Sequence, residues 1–329
     1  MDVETIFGNA IRAALGPEAA IYALLAIGLN VHYGYTGLLN FGIVGFMMVG
    51  AYGLAISVAT FGLSMWVGIP VGLAAAALLA LLMGIPTLRL RADYFAITTI
   101  AVAEILRLMA RSSPLEGLTG GVFGLQAVAD SFYDVNPYPS GRYGWGVLAF
   151  SDERMWVLTV TWILVIAATV FVALLIRSPW GRALRSIRED EEAARSLGKN
   201  AFGFKLQSLV IGGVIAGVAG IMFAIRASAA NADAYQPEVT FFAYTVLILG
   251  GAATRLGPIA GAIIFWFLIA GVQSFLREAQ AEDLLPGFLG SSDAVGAVSF
   301  ILVGLGLILL MIFRPQGIFG NREEMQLDA

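Results

Sequence analysis

Cys and His, two of the side chains most used in nucleophilic and metal-assisted catalysis, are almost missing from this sequence. It holds no Cys and one His, His32, which excludes disulfides, Cys nucleophiles, Cys-based zinc sites and multi-His metal centres. A phosphate-cradling loop of the form G-x-x-x-x-G-K-[ST] is absent. Gly198–Lys199 comes nearest, but Ala193 stands where the first Gly belongs and Asn200 where the Ser or Thr belongs. Neither a G-x-S-x-G elbow nor an H-E-x-x-H pair occurs. Two kinds of polar group remain: a charged run near mid-chain, and single Asn, Thr, Tyr and Glu side chains set into apolar stretches.

The charged run, 178–200, reads SPWGRALRSIREDEEAARSLGKN. Ser178 suits an N-cap, Pro179 the first helical position and Gly198 a helix end. Between them Trp180, Leu184, Ile187, Ala194 and Leu197 recur at helical spacing, so one helix over about 179–197 is expected with a single apolar side. The remaining positions carry Arg182, Arg185, Arg188, Glu189, Asp190, Glu192 and Arg195. The pairs Arg185–Glu189, Arg188–Glu192 and Glu191–Arg195 sit four apart, where opposite charges support a helix. So short a helix is marginal in water and needs a surface to pack on. It either docks into a groove of a cytoplasmic partner or lies among lipid headgroups. The run Glu189–Asp190–Glu191–Glu192 suits an anionic membrane poorly and tips the balance toward a partner.

The embedded polar residues are candidates for lining a solute path: Asn30, Asn40, Thr98, Thr99, Glu104, Thr119, Tyr244 and Thr245, with Tyr35, Thr36 and Thr240 beside them. Each also reads as a helix-to-helix hydrogen-bonding group, the commoner use of Asn and Thr in spanning helices. Glu104 is the one carboxylate well inside an apolar stretch and needs a partner there. Arg107 is one turn on, and with Arg111 it favours a helix-end ion pair reaching toward the outer headgroups. His32, beside Tyr33 and Tyr35, is expected to anchor a helix end at the interface. Asp93 reads as an N-cap.

The elements that must carry these groups follow from composition. The chain of 329 residues is 59% hydrophobic and 13% charged, with 39 Gly and a mean hydropathy of +0.83. Soluble domains are about half apolar and about a quarter charged. The sequence therefore specifies an all-α integral membrane protein, a polytopic helical bundle with about 8–10 spans, some broken or re-entrant. Apolar stretches of spanning character fall at roughly 18–33, 38–60, 65–88, 93–110, 155–176, 205–228, 239–253, 257–276 and 294–313. The 239–253 stretch is short enough for a half-helix. Lys and Arg favour the cytoplasmic side. The densest basic loop, 177–205, is assigned there, which brings Arg89, Arg91, Arg255, Arg314 and Arg322 to the same side and the N-terminus outside. The residues 112–154, rich in Gly, Pro, Ser, Tyr and Asp, then form an extracytoplasmic loop, and 315–329 a cytoplasmic tail. The whole of 1–329 reads as a single transmembrane domain. Its opening residues lack a basic n-region, so the first apolar stretch is expected to be retained as an anchor. A net charge of −4 without a basic stripe argues against nucleic-acid binding. GYTGLLNFGIVGFMMVGAY (34–52) and GGAATRLGPIAGAIIFWF (250–267) echo each other, each setting a Gly-containing turn before a Gly-spaced apolar helix, as transporter repeats do.

The loop GRALRSIREDEEAARSLGKN closely resembles the cytoplasmic-loop motif of the permeases of branched-chain amino acid ABC importers, of the longer of the two permease types. AIGLNVHYGYTGLLNFGIVGFMMVGAY (26–52), LRLRADYFAITTIAVAEILRL (88–108), LTGG (118–121), KLQSLVIGGVIAGVAGIMFA (205–224), LILGGAATRLGPIAGAIIF (247–265) and LLMIFRPQGIFG (309–320) are similar in the same order. The resemblance spans about 20–320, and the turn Ala253–Thr254–Arg255 departs from the family's more Gly-rich pattern. It implies a multi-pass bacterial inner-membrane protein that pairs with a second related permease as a heterodimer. It further implies two cytoplasmic ATPase subunits that hold ATP and Mg, and an extracytoplasmic solute-binding protein that delivers substrate. In that scheme residues 178–200 couple the ATPases to the bundle and this chain binds no cofactor and is no enzyme. The solute is a branched-chain amino acid, with urea, a short amide or a sugar as the alternative. An ion-coupled secondary transporter is disfavoured, because one intramembrane carboxylate and no intramembrane Lys make a poor relay.

Overall fold

The structure, a computed structural model, describes residues 3–144, 146–282, 292–313 and 316–320. Helix α1 (Val3–Leu15) meets α2 (Pro17–Leu29) at a 41° bend, where Gly16 precedes a proline suited to a first helical turn. A π-helical turn, Asn30–Gly34, extends α2. The expected span from 38 begins as helix only at α3 (Ile43–Ala55, prolonged by a π turn to Thr60), because 37–42 is an irregular loop. Then follow α4 (Met65–Thr87) and α5 (Ala92–Arg111).

The 112–154 segment is folded rather than loose. It holds the short helices α6 (Glu116–Thr119) and α7 (Asp130–Tyr133). Strand β1 (Leu125–Gln126) pairs antiparallel with β4 (Ala229–Ala230), and β2 (Arg142–Tyr143) pairs with β3 (Phe150–Ser151). The β1–β4 pair ties this cap to the connection that follows α11. Next come α8 (Asp152–Arg177), α9 (Pro179–Glu189), α10 (Glu191–Ser196), α11 (Ala201–Ala227), α12 (Pro237–Gly250), α13 (Gly257–Ala281) and α14 (Ser292–Phe313).

Among the described residues five helices are long and apolar enough to cross a membrane, and the bent α1–α2 pair makes a sixth. This is fewer than the nine stretches read from hydropathy, the three at 93–110, 239–253 and 294–313 being absent, and for the first two the reason is identifiable. Helix α5 carries Asp93, Glu104, Arg107 and Arg111. Helix α12, with 14 residues, is about 21 Å long at 1.5 Å per residue, short of a hydrocarbon core of about 30 Å. The 315–329 tail lies outside the described residues except for 316–320.

Helices α2, α3 and α11 form the buried centre, while α4 and α8 turn large apolar side chains such as Leu82, Ile85, Ile166 and Leu174 outward, where lipid belongs. The central helices meet through glycines. A Cβ on Gly28 would lie 2.5 Å from the Gly212 carbonyl oxygen, and one on Gly220 would lie 1.8 Å from that of Met47. Backbones this close exclude any larger residue, the small-residue packing that membrane helices use.

Candidate coupling surface and solute path

The charged run folds as two helices, not one. Ser178 caps α9, its Oγ accepting from Trp180 N at 3.2 Å, and Pro179 takes the first position. The helix then stops at Asp190, whose backbone is extended (φ −153, ψ 104) and whose carboxylate accepts from Ala193 N at 2.9 Å to start α10. Aspartate is among the best N-caps, and Glu191 and Glu192 suit the positive end of the new helix dipole. The break changes which side faces in. Leu184, Ile187 and Ala194 are buried, Trp180 partly so, but Leu197 is 80% exposed. Of the three pairs expected along the helix, Glu191–Arg195 forms at 2.7 Å, and Glu191 also binds Lys205 of α11. Arg188 reaches elsewhere: its guanidinium donates to the Gly34 carbonyl at 2.6 Å. Arg182, Arg185, Glu189, Asp190, Glu192 and Arg195 remain on the exposed side.

Gly34 opens the loop that separates the two broken helices, and a network of buried side chains supports that loop. His32 is fully buried, not interfacial. Its Nε2 lies 3.1 Å from the Leu209 carbonyl, which can only accept, so Nε2 carries the proton. Nδ1 therefore accepts from Asn40 Nδ2 at 3.1 Å, and Asn40 Oδ1 accepts from Gly42 N at 2.9 Å. Thr36 Oγ1 lies 2.8 Å from the Val31 carbonyl and 2.6 Å from Ser208 Oγ. Thr99 of α5 accepts from Phe41 N at 3.1 Å, and Thr240 of α12 from Val44 N at 3.3 Å. The start of α3, deep in the bundle, thus has its backbone donors met by side chains from other elements. Asn30 accepts from Ala253 N and donates to the Thr254 carbonyl, both at 2.8 Å, which lays the second Gly-containing turn against the first.

The remaining candidates sit on α5, α12 and the cap. Glu104 takes a bidentate pair of bonds from Arg107, at 2.6 and 2.9 Å. Arg107 also binds Asp233 at 3.0 Å, and Arg111 binds it at 3.1 Å. The cluster therefore clamps the 3-10 turn Ala232–Ala234 onto α5 rather than ending a helix alone. Thr98 is half-buried and donates back to Tyr94 O at 2.7 Å, and Thr245 is likewise half-buried. Tyr244 is buried, stacked on Phe41 at 4.7 Å, and its hydroxyl has no hydrogen-bond partner among the described residues. Thr119 Oγ1 lies 2.6 Å from the Ala110 carbonyl and 2.8 Å from that of Leu115, holding the left-handed Gly120–Gly121 turn beside the end of α5.

Residues 17–290 match the family model described as branched-chain amino acid transport system / permease component. The chain belongs to that permease family. It is 30% identical to the high-affinity branched-chain amino acid transport system permease protein LivM of Escherichia coli, over 91% of this chain and 67% of that one. The probable LivM permease of Methanocaldococcus jannaschii is 24% identical over 92% of this chain and 91% of its own length. LivH of Escherichia coli, the other permease type, is 30% identical, with 92% of each chain covered.

Several features of this permease escape sequence reasoning. Asp233 lies in a short polar connection that gives no sign of its two Arg partners. The FRPQGIFG ending has a structural use: Ile318 N and Phe319 N donate to the Leu249 and Gly250 carbonyls at 3.0 Å each, closing the C-terminal end of α12. Ala253 adopts φ +60, where Gly is the usual choice, and sits at the turn that departs from the family pattern.

Proposed function

We propose that this chain is a membrane permease subunit of an ATP-binding cassette importer of branched-chain amino acids in a bacterial inner membrane. Its relatives include permeases of both the LivM and LivH types, which supports pairing with a second, related permease. Two ATPase subunits, holding ATP and Mg, bind the cytoplasmic side, and an extracytoplasmic binding protein delivers the solute. The observation that carries the coupling role is the orientation of α9 and α10. Their apolar side packs on the bundle, while Arg182, Arg185, Glu189, Glu192 and Leu197 face away from it. An ATPase groove takes that outward side, and Arg188 passes its movement to the loop at Gly34. Solute moves between α5 and α12 and the second permease. Thr98, Glu104 and Thr245 line that path, with Tyr244, Asn30, Asn40, Thr99 and Thr119 shaping it from behind.

The test joins uptake with assembly. Cells lacking their own importer, given this chain and its co-encoded subunits, should accumulate labelled leucine and not labelled urea. Uptake of urea instead would reassign the solute. ATPase subunits should co-purify with the native chain and be lost with Arg185→Glu combined with Leu197→Glu. Recovery of the same amount of ATPase with that variant would remove α9–α10 as the docking surface.

A further inference from the structure

A cleft of about 440 Å³ opens between α1, the start of α8 and α13, away from the path described above. Its size is within that of small-molecule sites, about 300–1,000 Å³. Both signs of charge meet in it: Arg12 of α1, Glu18 of α2, Glu153 and Arg154 of α8, and Arg226 of α11 line one space, with Trp266 of α13. Glu18 is answered by Arg226 at 2.7 Å. Arg12, Glu153 and Arg154 form no ion pair among the described residues, although Arg12 rests over the Phe150 ring at 5.2 Å. Two cations and one carboxylate are thus left facing a shared cavity. Two donors are also unmet there: Arg226 Nε and Trp266 Nε1 are buried and have no hydrogen-bond partner among the described residues. Both atoms lie closed off behind the lining, so what the cleft offers its contents is the unpaired charge of Arg12, Glu153 and Arg154. The Tyr133 hydroxyl at the rim stays protonated, since burial raises its pKa, and it already donates to the Ile225 carbonyl at 3.1 Å. Val157 and Ile269 supply an apolar wall.

We propose that this cleft binds a zwitterionic head, an anionic oxyacid group and a primary ammonium a few bonds apart. The anion sits among Arg12, Arg154 and Arg226, and the ammonium against Glu153. A free α-amino acid and the aminoethyl phosphate headgroup of a phospholipid present the same chemistry. The first occupant rests on the transport reading; the site itself does not.

The chain with its co-purifying subunits is placed in phosphatidylcholine nanodiscs, without binding protein or nucleotide, and titrated with labelled leucine. In a second arm the discs contain equal phosphatidylcholine and phosphatidylethanolamine, and the lipid that stays with the protein after delipidation is counted. Saturable leucine binding, weakened at least tenfold by Arg12→Gln and by Glu153→Gln, assigns the cleft to the free amino acid. Selective retention of phosphatidylethanolamine, lost in the same variants, assigns it to the headgroup. Native-like thermal unfolding of both variants excludes a folding defect; if either unfolds, Arg154→Gln, on the same lining, replaces it with the same loss expected. The proposal is overturned if the native protein enriches neither ligand, or if the variants bind as the native protein does. Leucine uptake by the full complex separates the two readings: uptake without cleft binding rejects the cleft alone, while cleft binding without uptake rejects the transport reading alone.

Discussion

Asn30 joins α2 to a turn 224 positions away, using both ends of its amide. Asn30→Ala leaves Ala253 N and the Thr254 carbonyl without partners at a part-buried site, which should cost about 1–3 kcal/mol and lower the unfolding midpoint in detergent. The same turn offers the opposite test. Ala253 holds a left-handed φ of +60, a conformation that costs an L-residue about 1–2 kcal/mol. Ala253→Gly removes that strain, so stability should rise by up to about 1 kcal/mol after the entropy of the added Gly, and the midpoint with it. A fall would mean that the methyl group's packing outweighs the strain. The turn itself was visible in the sequence as a Gly-poor departure; Asn30 as its clamp was not, because nothing local links position 30 to 253. His32 shows the same limit. Its neighbours Tyr33 and Tyr35 suggest an interface, yet its ring is buried against α11, where a Cβ on Gly212 would come within 2.3 Å of Nε2. The missing side chain at 212 makes room for the ring, and only the fold brings the two together.

At the scale of elements, hydropathy identified the long apolar helices and the shortness of α12. Signals that act between elements were less legible. The Ser178–Pro179 start of α9 is a local cap and was readable; the break at Asp190 has an equally local cause, but the helical spacing of Ala194 and Leu197 masked it. The consequence is mechanical. An unbroken helix would move as one rod, whereas α9 is held by Arg188 to Gly34 and α10 by Glu191 to Lys205. Arg188→Ala should leave ATPase subunits attached, because the outward side is untouched, but reduce transport-coupled hydrolysis severalfold in reconstituted vesicles. Unchanged coupling at full uptake would show that the 34–42 loop does not receive the movement.

For the whole molecule, orientation decides the rest. The sequence contains no Cys, so Leu197→Cys introduces a single thiol at an 80% exposed position. In membranes holding the chain without its ATPase subunits, a membrane-impermeant maleimide should label it in inverted vesicles and not in intact spheroplasts, while a Cys placed at Phe123, 81% exposed in the cap, should show the reverse. Labelling of both from one side would break the proposed topology. One further consequence follows from the pairing of Ile318 and Phe319 with the last carbonyls of α12. A ribosome makes α12 long before it makes these donors, so the newborn helix waits with its final carbonyls unanswered until α13, α14 and the residues to 319 have been threaded. Chains cut short before position 316 should therefore be inserted yet remain open at that seam, visible to quality-control proteases, whereas trimming beyond 320 leaves the latch itself in place.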